Sequence, residues 1–324
     1  MESNSTVSTK ALGLMLVALF AVNVYRAATL AISREEAYDF DRFIRPPIRD
    51  VLAHYDSRNQ LLNTFLVKRS IGLLRLSEFS FRLPGLMGTA LCFWAVYRIS
   101  RRLSGSGWLR LAAVAILVLN PFVLDHLWVA RGDAIALGLC MWALELMLDY
   151  LQAGQPLTLR NLNLAGLFLG LAAAASLAFA LPALALAAAF LVVTGWQHRL
   201  SWVVGMQRIV VTAVAVAFIL LAIPLSRADD VRLFDFHFRS YAERSDESGF
   251  RTMVNVLRRA AGEGKVRIVA SPDARLRLEF YKERYRLRSW EVVQDVGQFY
   301  VFSNGVTYRH FEVLYHDAAF TVAR

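Results

Sequence analysis

Residues 108–151, WLRLAAVAILVLNPFVLDHLWVARGDAIALGLCMWALELMLDYL, decide the fold. Two apolar runs, 108–124 and 133–151, flank a short joint that carries Asp125, His126 and Arg131. Each run has the length a helix needs to cross the hydrocarbon of a bilayer, about 17–25 residues. The reading is therefore two membrane spans joined by a tight polar turn. Working outward, the same criterion marks 83–100 before them and 162–179, 180–196 and 206–226 after them. Residues 162–196 are too long for one span and are interrupted by Pro182. They read as a tight helical hairpin, with a tilted helix plus a re-entrant piece as the alternative. A first run, 11–32, is too long for a cleavable signal peptide, contains Arg26 and lacks a clear cleavage site, so it reads as a retained anchor.

Composition agrees. Of 324 residues, 56% are hydrophobic, above the roughly 45–50% of soluble domains, and mean hydropathy is +0.41. The excess lies before residue 227. The expected architecture is an α-helical multipass membrane protein of about seven transmembrane helices (1–226) with a small C-terminal α/β soluble domain (227–324). Cys92 and Cys140 both lie in apolar runs, which argues against a disulfide framework or a cysteine metal cluster. The net charge of +10 suits anionic lipids or phosphate-bearing lipid substrates. No nucleic-acid partner is expected, because no groove-reading motif or aromatic-basic platform occurs.

Between the first two spans lies a polar stretch, 33–82. Pro46-Pro47 opens a short helical segment, 47–56. Residues 59–76 set Leu61, Leu62, Phe65, Leu66, Leu73 and Leu74 at helical spacing, with Lys68, Arg69 and Arg75 interspersed. That pattern fits an amphipathic helix lying on a membrane or an ordinary helical hairpin. In the tail, 250–261 reads as a helix ending at Gly262. Val266–Ala270 reads as a strand, 274–284 as a second helix, and 298–302 and 311–315 as strands.

Arg98, Arg101, Arg102 and Arg110 near one turn, with Arg199 and Arg208 near another, place those turns inside by the positive-inside rule. The N-terminus is then internal and the tail extracytoplasmic. The nine basic residues of 33–82 pull the other way.

The sharpest chemical feature is Ser33-Arg34-Glu35-Glu36-Ala37-Tyr38, directly after the first span. A carboxylate there can serve as general base on a hydroxyl. Equally, Ser33 can cap a helix whose first turn holds Glu35 and Glu36. Four segments follow one another in order: EEAYDF (35–40), NQLLNTFL (59–66), LSEFSFRLPGLMGTALCFWAVYRISRRLSG (76–105) and LNPFVLDHLWVARGDAIALGLCMWALELML (119–148).

This ordered series resembles the GT-C superfamily of membrane glycosyltransferases. It is most similar to the branch with the protein O-mannosyltransferases and the lipid A aminoarabinose transferases. Glu35 stands where that branch usually has Asp, and Gln60 where it often has His. The resemblance implies transfer of a sugar from a polyprenyl-phosphate-linked donor to a lipid, glycan or protein acceptor outside the cytoplasm, with inversion. The other reading of the chain is a non-catalytic polyprenyl-phosphate-sugar binding or translocating membrane protein. Glu35 is implied as the base and Glu36 as its orienting or sugar-binding partner. Arg131, and more weakly Arg82, are implied as donor-phosphate contacts, since a guanidinium fork matches phosphate oxygens. Snorkelling is the other reading of Arg131, and pairing with Glu78 that of Arg82. Tyr38, Asn59, Asp125 and His126 are candidate pocket residues. No cofactor is implied; a divalent cation on the acidic loop is an open alternative. The histidines lack metal-site spacing. Glu145 and Asp149 are expected to reach the interface or to pair with loop arginines.

Overall fold

A computed structural model describes residues 2–53, 59–102, 107–153, 159–196, 204, 206–217, 241–262, 264–303, 312–316 and 320–324. The chain divides into two compact units. The first comprises Met1–Ala27, Leu52–Ser70 and Phe81–Phe236; the second comprises Ala28–Val51, Ile71–Ser80 and His237–Arg324. The expected boundary at 226/227 lies outside the described residues. In chain order the helices are α1 (Glu2–Thr29), α2 (Arg34–Asp39), α3 (Ile48–Ala53), α4 (Leu61–Leu74), α5 (Glu78–Arg102), α6 (Gly107–Val118), α7 (Pro121–His126), α8 (Gly132–Ala153), α9 (Leu159–Ala175) and α10 (Ala180–Trp196). Helices Tyr241–Ala261 and Pro272–Arg284 follow, with strands β1 (Val266–Ala270), β2 (Trp290–Val293), β3 (Phe299–Ser303), β4 (Val313–His316) and β5 (Phe320–Ala323).

Among the described residues, four helices are long and apolar enough to cross a membrane: Lys10–Thr29, Glu78–Arg102, Gly132–Gln152 and Leu177–Trp196. The remaining three expected spans coincide with shorter helices. The run 108–124 is divided because Pro121 has no amide to donate and pushes Asn120 out of helical geometry, so α6 stops at Val118 and α7 starts afresh. The run 206–226 contributes the apolar helix Arg208–Ala217, and its remainder lies outside the described residues. The 162–196 stretch does break in two: α10 begins at Ala180 as expected, but α9 ends at Ala175, so the break opens at Ser176 and not at Pro182. Ser176 is extended, with φ −151° and ψ 119°. Pro182 instead sits in the first turn of α10, where its missing amide removes no helical hydrogen bond.

Large apolar side chains face outward along these helices. Leu14, Val17 and Val22 of α1 and Leu184 and Val192 of α10 are exposed, and Trp108 and Trp196 at helix ends are 81% and 84% exposed. A water-soluble domain rarely leaves so much contiguous apolar surface uncovered, whereas lipid accepts it and tryptophans favour the interface. The protein is a membrane protein. Inside the unit, Leu139, Met147, Leu162, Leu169 and Phe190 form one core from α8, α9 and α10. Leu12, Leu16, Phe93, Val96 and Val114 form another from α1, α5 and α6. Helices α5 and α8 approach closely at Gly88 and Gly138. A Cβ on Gly138 would lie 2.4 Å from the Gly88 carbonyl oxygen, the small-residue contact typical of helices packed in a membrane. Glu145, almost fully buried, accepts from Arg98 and Arg102, and Arg102 also reaches Asp149. These are the pairings expected for the two acids.

The second unit holds a five-stranded sheet in the order β2-β1-β3-β5-β4. Strands β2, β1 and β3 run parallel, and β5 joins β3 and β4 antiparallel. The first tail helix is longer than expected, Tyr241–Ala261, and ends at Gly262, whose φ of +62° is the left-handed conformation that terminates helices. Phe250, Val254 and Leu257 of that helix, Leu278 and Phe280 of the next, and Ile268, Val301 and Val322 of the sheet are all buried. The strands at 266–270, 298–302 and 311–315 fall within a residue or two of expectation, while β2 and β5 were not foreseen.

Candidate functional site

The expected site residues divide between the two units: Asn59, Arg82, Asp125, His126 and Arg131 in the first, Glu35, Glu36 and Tyr38 in the second.

In the first unit, polar groups converge where α8 begins. Between α7 and α8 the chain runs through bends at 127–131. Arg131 ends that segment, and its Nε lies 3.3 Å from Asp133 Oδ2. Asp133 Oδ1 accepts from Ser176 Oγ at 2.7 Å and from Gln60 Nε2 at 3.3 Å. The Gln60 carboxamide is used at both ends, since its Oε1 accepts the amide of Gly132. Gly132 has no room for a side chain: a Cβ there would lie 1.9 Å from the Ala175 carbonyl oxygen. The break at Ser176 has its reason here, because the serine hydroxyl that leaves the helical run is the one that meets Asp133.

Helix α4 supplies the adjoining polar face. The sequence pattern places its leucines and phenylalanine on one side, and the structure divides that side: Leu62 and Leu66 are half-buried against the α8–α10 core, while Phe65, Leu73 and Leu74 are exposed, Leu73 by 84%. The buried face carries Asn63, Thr64, Val67 and Ser70. Asn63 Nδ2 donates to Ala130 O at 3.1 Å, and Thr64 Oγ1 donates to Asn59 Oδ1 at 2.9 Å. Asn59 Nδ2, Asn63 Oδ1 and Trp128 Nε1 are buried polar atoms with no hydrogen-bond partner among the described residues. Such atoms cost free energy unless something pairs them. Burial also lowers the pKa of Lys68 on this helix below the ordinary lysine value.

Arg82 of α5 is fully buried. Its Nη1 donates to Ala27 O at 3.2 Å, and its guanidinium lies over the Trp128 ring at 4.8 Å. Through Trp128 it packs against the 127–131 bends. Asp125 and His126 close α7, and His126 is half-buried.

In the second unit, α2 starts with a reciprocal capping box. Glu36 N donates to Ser33 Oγ at 3.2 Å, and Ser33 N donates to Glu36 Oε2 at 2.9 Å. The capping reading of Ser33 and Glu36 is thus realised, and Glu36 is fully buried in it. Glu35, the next residue toward the N-terminus on the same first turn, is half-buried. Tyr38 meets Phe43 edge-on at 6.2 Å. The chain then widens into a π-helical turn at Phe40–Ile44, closed by Arg45 N donating to Phe40 O at 2.8 Å, a distortion that often accompanies functional sites. On the outer side, Arg34 pairs with Asp273, and Arg45 with Asp41, Glu279 and Glu283.

Glu78 anchors this unit. It is 1% exposed, and it pairs with Arg251 at 3.0 Å and with Arg284. Tyr281 Oη donates to it at 3.0 Å. Arg251 also donates to Ala28 O and Thr29 O at the end of α1. Burial, and then the Glu78 charge, raises the Tyr281 pKa well above the ordinary phenol value, so Tyr281 stays a donor.

Sequence reasoning did not single out Asp133, Ser176 or Trp128, and it noted Gln60 only as a departure from a pattern. The sequence model described as "Glycosyltransferase family 87" matches residues 65–266, more than half of the chain. The match takes in Arg82, Arg131, Asp133 and Ser176, whereas Glu35, Glu36, Tyr38, Asn59 and Gln60 precede it. No curated protein and no solved structure matches the chain.

Proposed function

Because the chain belongs to glycosyltransferase family 87, a GT-C-type family of membrane glycosyltransferases, we propose that it moves a sugar from a polyprenyl-phosphate-linked donor to an extracytoplasmic acceptor. The anomeric configuration inverts. The acceptor hydroxyl attacks the anomeric carbon, the bond from that carbon to the phosphate oxygen breaks, and the lipid phosphate leaves with the electron pair. Two demands follow. A base must take the acceptor proton, and a cation must meet the charge growing on the phosphate. A phosphate leaves without protonation, so no second acid is needed.

The observation that carries this reading is Arg131. Its guanidinium is held through Nε by Asp133 at the head of α8, and α8 is one of the four helices apolar enough to span a bilayer. A cation fixed at such a boundary suits a donor whose tail stays in lipid and whose phosphate sits at the interface. Arg82 is assigned as the secondary cation.

Glu35 is assigned as the base. Its neighbour Glu36 spends one carboxylate oxygen on the Ser33 amide and so orients the turn that presents Glu35. Asn59, Asp125 and His126 of the first unit and Tyr38 of the second are each assigned as contacts to sugar or acceptor. The proposal includes a bacterial inner-membrane location, an extracytoplasmic tail and kinship with the protein O-mannosyltransferase and aminoarabinose transferase branch.

The test is donor choice. Purified protein in lipid nanodiscs, given an acceptor extract, should consume a polyprenyl-phosphate sugar and leave nucleotide sugars untouched. Consumption of a nucleotide sugar without lipid carrier would contradict the proposal.

A further inference from the structure

We propose that Asp133 is the positioning residue for Arg131, fixing the direction in which the guanidinium meets the donor phosphate. The inference rests on the phosphate role of Arg131 given above. Its own support is geometric. One carboxylate gathers three donors from three separate stretches of chain: Ser176 Oγ at 2.7 Å, Gln60 Nε2 at 3.3 Å and Arg131 Nε at 3.3 Å. Two of these donors fall on one oxygen, Oδ1, which locks the plane of the carboxylate before the arginine is considered. The arginine engages Oδ2 through Nε, the nitrogen nearest its own chain. A contact at Nε sets the plane and heading of the whole guanidinium fork.

The supports are themselves pinned. The Gln60 carboxamide is held at its other end by the Gly132 amide, and Gly132 admits no side chain against Ala175. Both charged side chains are mostly shielded from solvent, with 19% of Arg131 and 14% of Asp133 exposed. The arrangement has the form of a preorganised electrostatic site: a charge aimed by neighbours that are already fixed, so that no reorientation is required when the phosphate arrives.

The sign of the effect separates positioning from simple electrostatics. Removing a negative charge beside a phosphate site strengthens phosphate binding if charge alone matters. If Asp133 aims Arg131, its removal weakens that binding instead.

The experiment measures binding of undecaprenyl phosphate, and of uncharged undecaprenol as control, to the full chain in detergent. Wild type should prefer the phosphate. Asp133→Asn should bind the phosphate about tenfold more weakly, with undecaprenol binding unchanged, and Ser176→Ala should shift it a few-fold in the same direction. In the Arg131→Ala background, Asp133→Asn should add no further loss, because a residue acting through Arg131 cannot weaken binding once Arg131 is gone. Unchanged or tighter phosphate binding by Asp133→Asn, or losses that multiply in the double variant, overturn the inference while leaving the donor reading standing. Equal binding of both lipids by wild type contradicts the donor reading itself. If Asp133→Asn does not fold, the Ser176→Ala variant decides: a few-fold loss specific to the phosphate supports positioning, and wild-type binding overturns it.

Discussion

Gln60 and Asp133, 73 positions apart, share a hydrogen bond of 3.3 Å, and with the Gly132 amide on the other end of the Gln60 carboxamide they tie the start of α4 to the start of α8. That link delivers Arg131, next to Gly132 in the chain, as a fixed cation rather than a loose one. It also replaces what the sequence pattern offers at position 60. The resemblance noted above often has a histidine there, while glutamine supplies a donor and an acceptor on one planar group, and both are used.

Arg131→Ala should lower kcat/KM for the lipid donor by about 10²-fold, the usual cost of removing one group that stabilises developing charge. The KM for acceptor should move little. Steady-state kinetics with each substrate varied in turn checks this, and equal losses for donor and acceptor would remove Arg131 from the phosphate.

Gly132→Ala should destabilise the first unit, because the new methyl meets a backbone carbonyl that no rotamer change can move aside. Overpacking of this kind costs about 1–3 kcal/mol. A clear drop in thermal unfolding temperature in detergent is expected, with a smaller change for Gly264→Ala, where nothing lies within 4 Å. Indistinguishable melting of the two variants would mean that α8 and Ala175 are not in the contact described.

Glu78→Gln should be among the most damaging single changes in the second unit. It leaves Arg251 and Arg284 without their carboxylate in a buried setting, a loss of about 3–5 kcal/mol. Tyr281→Phe removes one hydrogen bond from the same group and should cost only about 1 kcal/mol. Limited proteolysis of the tail at rising temperature ranks the two, and the reverse ranking would contradict the role of Glu78 as anchor.

A C-terminal alkaline phosphatase fusion should be active, which requires the tail to lie outside the cytoplasm. An intact but inactive fusion would contradict the proposed orientation.

Much of the architecture was legible because bilayer spans are written in composition. The runs at 11–32, 83–100, 133–151 and 180–196 coincide with the four helices that satisfy length and hydropathy together. What hydropathy misses is where a helix stops inside an apolar run. Proline at 182 looked like the breaker, yet the chain breaks at Ser176, whose hydroxyl is drawn to an aspartate 43 positions away. The apolar stripe of α4 was visible, but not that a polar face is buried as well, since that depends on Ala130 and Asn59 being there to receive it. Strand β5 is buried at all four positions and so shows no alternation. On the chemical side, Arg131 and the Ser33–Glu36 turn were readable locally, and the cap found there is a contact three residues long. Asp133 and Ser176 were not readable, because their meaning lies in pairings across the fold.

The most direct test of the central claim is release of free polyprenyl phosphate from a mixed pool of polyprenyl-phosphate sugars, in the presence of an acceptor extract, by purified wild type and by Glu35→Gln. The account predicts release by wild type and a loss of about 10²-fold or more in Glu35→Gln, with equal amounts of protein in the membrane. Equal release by both proteins would remove Glu35 as the base, and lipid bound by wild type without any release would contradict transfer and leave a carrier-binding protein.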